Sequence, residues 1–155
     1  MIDSGDTGFM IICTALVLLM TPGLAFFYGG MVRRKNVVNT MMTSIFVIGI
    51  AMVMWILFGY SLAFGNDHLG IIGDLSFLGL SNVGTTPGNY ASTIPDLGFA
   101  AFQMMFAIIT PALITGAVAG SMKFKALFIF ISVCSTIVYY PMAHMVWGLG
   151  GFLAE

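Results

Sequence analysis

Residues 7–35 read TGFMIICTALVLLMTPGLAFFYGGMVRRK, an uncharged run from Thr7 to Val32 followed by three consecutive basic side chains, Arg33, Arg34 and Lys35. About 20 apolar residues cover a hydrocarbon core of roughly 30 Å, so this run is long enough to cross a bilayer and stop at a cationic anchor. The pattern repeats along the chain. Residues 36–66, 97–122 and 126–154 are also uncharged, and the remaining basic residues, Lys123 and Lys125, sit between the last two stretches. All six acids, Asp3, Asp6, Asp67, Asp74, Asp96 and Glu155, fall elsewhere. If both basic clusters face the cytoplasm, the N-terminus is extracytoplasmic, the spans run in, out, in, out, and every acid lies on the outer side. The positive-inside rule then holds without exception.

Composition narrows the class further. With 59% hydrophobic and 7% charged residues, the chain is far from the usual globular balance of about 25% charged residues, which excludes a soluble core. The first span has acids in front of it instead of a basic region, and its apolar run is too long for a signal peptide, so it is expected to stay in the mature chain. A net charge of -1 says little, because the charges are sorted by side. Nothing resembles the basic patch of a nucleic-acid binder. Cys13 and Cys134 both lie inside predicted spans and read as apolar filler, and no cofactor or metal is indicated.

These features predict an all-α, polytopic transmembrane helix bundle. The expected spans are about 7–30, 39–64, 98–121 and 126–147, with an outer loop over 65–96 that is dense in Gly, Asn, Thr, Ser and Pro. Pro22 should kink the first helix, with Thr21 satisfying the freed groups. The very short basic turn after helix three should make helices three and four antiparallel neighbours. Ala112, Gly116 and Gly120 recur every four residues and read as a small-residue ridge for helix packing. The thirteen methionines read as lipid-facing or core filler.

No acid or base lies at mid-membrane depth in any span, so a solute passing these helices meets aromatic and amide groups instead of fixed charges. On helix three, Phe99, Phe102, Gln103, Phe106 and Thr110 fall at helical spacings on one broad face. Trp147, near the outer end of helix four, is expected at the depth of Phe102. These rings could be an interfacial aromatic belt with core phenylalanines. They could equally form a cage for a small cation, with each ring worth roughly 0.5 to 2 kcal/mol. His68 reads as a solvated loop histidine and His144 as an interfacial one.

Three runs carry a resemblance. Residues 20–37 (MTPGLAFFYGGMVRRKNV), residues 102–110 (FQMMFAIIT) and residues 141–148 (PMAHMVWG) look like signatures of the ammonium transporter family, Amt/Mep with the Rh proteins as relatives. The resemblance extends in order along nearly the whole chain. It implies an outer ammonium recruitment site, whose aromatic pair and tryptophan map onto Phe102, Phe106 and Trp147. It also implies that ammonium is deprotonated there and crosses an apolar pore as ammonia. Ammonium or methylammonium would be the substrate, a homotrimer in the cell membrane the assembly, and a PII-type nitrogen-signalling protein a possible cytoplasmic partner.

The family's members have about eleven helices in inverted halves, so the resemblance makes this chain an N-terminal part. A buried aspartate, two pore histidines, a second gating phenylalanine and an outer serine would then lie beyond Glu155. Ala119-Gly120-Ser121 stands where the family often has Ala-Glu-Arg or Ala-Gly-Arg, a departure at the inner side. Alternatives are an ammonium sensor of the same family and a truncated fragment without transport of its own. A membrane-embedded enzyme would need a nucleophile, base or metal constellation that no span offers.

The orientation is directly testable. Cysteine-accessibility labelling in intact cells should modify a cysteine placed at Asn89 and spare one placed at Asn36. The reverse pattern would invert the topology.

Overall fold

The computed structural model describes residues 2–154. Four long apolar helices are each able to cross a membrane: α1 (Ser4–Met31), α2 (Arg34–Phe64), α3 (Asp96–Ala117) and α4 (Phe124–Trp147). Between α2 and α3 the loop forms two small antiparallel ribbons. β1 (Asp67–His68) pairs with β2 (Ile72–Gly73), and β3 (Pro87–Gly88) pairs with β4 (Ala91–Pro95).

Helix ends follow capping chemistry more closely than they follow the charge boundaries. α1 begins at Ser4 because Asp3 caps it, its Oδ1 accepting the Gly5 N–H at 2.7 Å and the Asp6 N–H at 3.0 Å. Asp6 in the first turn also suits the positive end of the helix dipole. α3 begins at Asp96, directly after Pro95, and ends at Ala117, four residues before the expected stop. Gly120 has φ +76°, so it belongs to the turn and not to the small-residue ridge.

The rest of that ridge packs as expected. Ala112 is fully buried, and a methyl group at Gly116 would lie 2.2 Å from Tyr28 Cζ. Tyr28 crosses from α1 to α3 there, its hydroxyl donating to the Leu113 carbonyl at 3.1 Å. α1 continues past Pro22, and the expected role of Thr21 does not hold. Its buried hydroxyl has no hydrogen-bond partner among the described residues.

α1, α2 and α3 pack mutually, and α3 is the most enclosed of the four. α4 rests chiefly on α2 and meets α3 along a narrower contact, so the short α3–α4 turn does not make those two helices the main packing pair. At the basic end, Val47, Ala112, Leu127 and Ile131 join α2, α3 and α4 in one cluster.

At the other end the four helices meet the loop. The Asp3 N–H donates to Thr93 O at 2.8 Å, and the Phe152 N–H donates to Gly70 O at 2.9 Å. The start of α1, both ribbons and the chain leaving α4 therefore share one end. Asp3, Asp6, Asp67, Asp74 and Asp96 lie with them, opposite the two basic turns. Glu155 lies outside the described residues.

α2 and α4 each contain one π-helical turn, Trp55–Gly59 and Ser135–Tyr139. The two helices interlock immediately beyond these turns. A methyl group at Gly59 would lie 2.7 Å from Cζ of Tyr140, a side chain that is itself fully buried.

In the first ribbon, Asp74 accepts four hydrogen bonds. They come from the Ser76 hydroxyl and N–H, the Asn66 N–H at 3.1 Å and Asn66 Nδ2 at 2.8 Å. The Ser76 hydroxyl leads the donors that hold its pKa at about 2, below the ordinary 3.8.

Two outcomes follow. Gly59→Ala should cost about 1–3 kcal/mol by overpacking. Gly49→Ala, on the same helix with nothing within 4 Å of the added methyl, should be neutral or mildly stabilising. Thermal unfolding in detergent measures both. For Asp74, a pKa depressed in the folded state gives stability that is fully present above the ordinary value and lost as pH falls through the folded one. Amide protection at Asn66 and Ser76 should hold down to about pH 4 and fall between about pH 4 and 2. In Asp74→Ala it should be low throughout, without that step.

Candidate functional site

Phe102 and Phe106 stand one turn apart on the loop-side half of α3, both half-buried, with ring centroids 5.2 Å apart and planes at 78°. Below them Thr110 is turned back on its own helix, its hydroxyl donating to the Phe106 carbonyl at 2.8 Å. Trp147 is the last residue of α4 and is 50% exposed. The structure therefore brings Phe102 and Phe106 together, while Trp147 stacks on no other ring among the described residues. It stands at the rim where α4 ends.

Phe99 does not share the face of Phe102. It stacks on Tyr90 from the loop, with centroids 5.2 Å apart and planes at 6°, and meets Phe64 edge-on at 5.2 Å. The expected single face on α3 therefore divides in two. Phe102 and Phe106 form one pair, and Phe99 joins a different assembly.

That assembly is the part of the site that helical spacing did not reveal. Trp55, Tyr60, Phe64 and Tyr140, all fully or almost fully buried, form an aromatic core in the loop-side halves of α2 and α4, with Phe77, Tyr90 and Phe99 packed against it. Most of its polar atoms fix the loop, α3 and the chain after α4. Trp55 Nε1 donates to the Ala100 carbonyl at 3.2 Å, and the Tyr60 hydroxyl donates to Asp96 Oδ1 at 3.1 Å. The Tyr90 hydroxyl donates to the Phe64 carbonyl at 3.3 Å and accepts the Leu149 N–H at 3.1 Å. Burial pushes the Tyr90 phenol above its ordinary pKa. The signal in the sequence was the density of aromatic residues between Trp55 and Phe64.

Above this core lies a polar cavity of about 290 Å³, lined by Tyr60, Asp67, Asn82, Thr86, Asn89 and Asp96 among others. His68 is exposed, as expected for a loop histidine. His144 is not interfacial. It is fully buried, and both its ring nitrogens are engaged, one with the Ala63 carbonyl and one with Asp67.

Four apolar spans, charges divided between the two ends, and an aromatic pair that begins about two turns below a folded loop define a multi-pass α-helical membrane protein. The Ammonium Transporter Family matches residues 8–155. An ammonium transporter of Mycobacterium tuberculosis (strain ATCC 25618 / H37Rv) is 49% identical over 168 residues, covering 99% of this chain and 35% of that protein. One from Bacillus subtilis (strain 168) is 51% identical over 151 residues, covering 97% and 37%. The crystal structure of Candida albicans Mep2 matches with a TM-score of 0.88 at 30% identity, covering 99% of this chain and 33% of that one. The chain belongs to the ammonium transporter family, a family of transporters and not of enzymes, and it spans about a third of the length of these relatives.

Proposed function

We propose that the complete protein transports ammonium across the cell membrane and that this chain supplies the outer recruitment site and first gate. The observation that carries the reading is the edge-to-face pair of Phe102 and Phe106, located where the family signature in α3 lies. Ring faces attract a small cation without binding it so tightly that it cannot leave, at roughly 0.5 to 2 kcal/mol per ring. Trp147 supplies a third and stronger quadrupole from the rim.

Below Phe106 the cation meets an apolar interior. The groove between α3 and α4 is lined by Pro111, Ile114, Cys134, Val138 and Met142. Desolvating an unpaired cation there costs far more than two or three rings return, so ammonium gives up its proton near the cage, the proton takes a separate polar route, and ammonia continues through the apolar section. The N-terminus is extracytoplasmic and the basic turns are cytoplasmic. Broad apolar faces, with Phe9, Ile12, Leu16, Leu19 and Phe26 exposed on α1, need cover from lipid or from neighbouring protomers. A homotrimer, with a PII-type protein at the cytoplasmic side, fits the family resemblance.

Concentration-dependent uptake by the complete transporter tests this. Trp147→Leu keeps bulk but removes the ring, so apparent affinity should fall about fivefold to tenfold, on the order of 1 kcal/mol. Phe106→Ala should chiefly weaken selectivity for ammonium over other small solutes. Phe128→Ala, on the half-exposed face of α4 toward the basic end, is the control. A loss at Phe128 as large as at the other two positions would mean that the aromatic residues serve as packing and the recruitment assignment fails.

A further inference from the structure

His144 lies one turn before Trp147, and the structure engages it at every polar atom. Nδ1 is 3.0 Å from the Ala63 carbonyl oxygen. A carbonyl only accepts, so Nδ1 carries its proton there. Nε2 is 3.1 Å from Asp67 Oδ1, an oxygen that also accepts the Gly70 N–H at 2.8 Å. The imidazole thus joins α4 to the last turn of α2 and to the first ribbon.

Its backbone completes the fastening. The His144 carbonyl accepts the Gly148 N–H at 2.8 Å and so closes α4 immediately after Trp147. The chain that follows lies directly against the histidine. A methyl group at Gly148 would stand 2.5 Å from Nδ1, and one at Gly151 would stand 2.3 Å from the His144 carbonyl oxygen. Leu149 and Phe152 are then tied to Tyr90 and Gly70. Trp147, which stacks on no other ring among the described residues, is an exposed residue within this anchored stretch.

We propose that His144 is a positioning residue for the outer aromatic site, holding the end of α4 against Ala63 and Asp67 so that Trp147 stands at a fixed place on the rim. The inference rests on the recruitment reading above. Releasing the clamp leaves the indole present but misplaced, so the loss falls on capture of the cation and not on its passage.

Uptake by the complete transporter, normalised to the amount at the cell surface, separates the two. His144→Ala removes a buried ring and can fail to fold, so the decisive variants are at Asp67, whose side chain is 33% exposed. Asp67→Ala should raise the apparent KM about threefold to tenfold and leave the maximal rate within about twofold. Asp67→Asn keeps a hydrogen-bonding partner for Nε2 and should restore the wild-type KM. The double variant Asp67→Ala, Trp147→Leu should be no worse than Trp147→Leu alone, because one group acts through the other.

Multiplying effects in the double variant, or an unchanged KM in Asp67→Ala, would overturn the proposal. An equal loss in Asp67→Asn would overturn it too, since the carboxylate charge would then be acting on the cation directly. If Trp147→Leu itself leaves KM unchanged, the recruitment reading fails, and the positioning role fails with it.

Discussion

Inside a hydrocarbon slab a backbone N–H or C=O without a partner costs several kcal/mol, and every element of this chain is arranged to avoid that. The four spans satisfy their own backbone. Four of their hydroxyls are handled in the same way: Thr14, Thr43, Ser132 and Thr136 each donate to the carbonyl four residues earlier, so they can sit at lipid depth without a neighbour. Irregular backbone is confined to the two ends, where water and side chains can serve it. The Ser44 and Thr115 hydroxyls, 3.1 Å apart, form a direct polar contact between α2 and α3.

The loop over residues 65–95 is where that constraint relaxes, and it is built as a rigid cover. Asp74 gathers the first ribbon, while Tyr60 and Tyr90 reach up from the aromatic core to hold Asp96 and the chain after α4. Ser61 serves both sides, its hydroxyl donating to Asp74 O at 2.9 Å and accepting the Phe77 N–H at 3.0 Å. The cover stands on the same end of the bundle as Phe102 and Trp147.

Much of this was legible from charge alone. The sorting of Arg33, Arg34, Lys35, Lys123 and Lys125 against the acids marks out four spans, because crossing a bilayer is a one-dimensional problem of length and polarity. Helix ends were less visible, since Asp3 as a cap and Gly120 in a left-handed turn are matters of local hydrogen bonding that a charge boundary does not register. Long-range contacts were not legible. His144 reads as interfacial because it lies near a helix end, and it is buried only because residues 63 and 67, some eighty positions earlier, fold over it. Phe99 and Phe102 share a helical face in projection, yet Tyr90 arrives from the loop to claim the first and leaves the second to pair with Phe106.

The two π-helical turns have a consequence for the lengths of these helices. A π turn absorbs one residue beyond the α-helical count, which in regular winding would advance the helix by about 1.5 Å and rotate all that follows by about 100°. Trp55–Gly59 and Ser135–Tyr139 each place such an increment just below the point where Gly59 receives Tyr140, so the offsets in α2 and α4 are matched at their contact. Returning one helix to regular winding without removing that residue would turn its loop-side half away from the partner's. Deleting the residue together with its wide turn would leave the two helices in phase, so the extra residue and the wide turn go together in each.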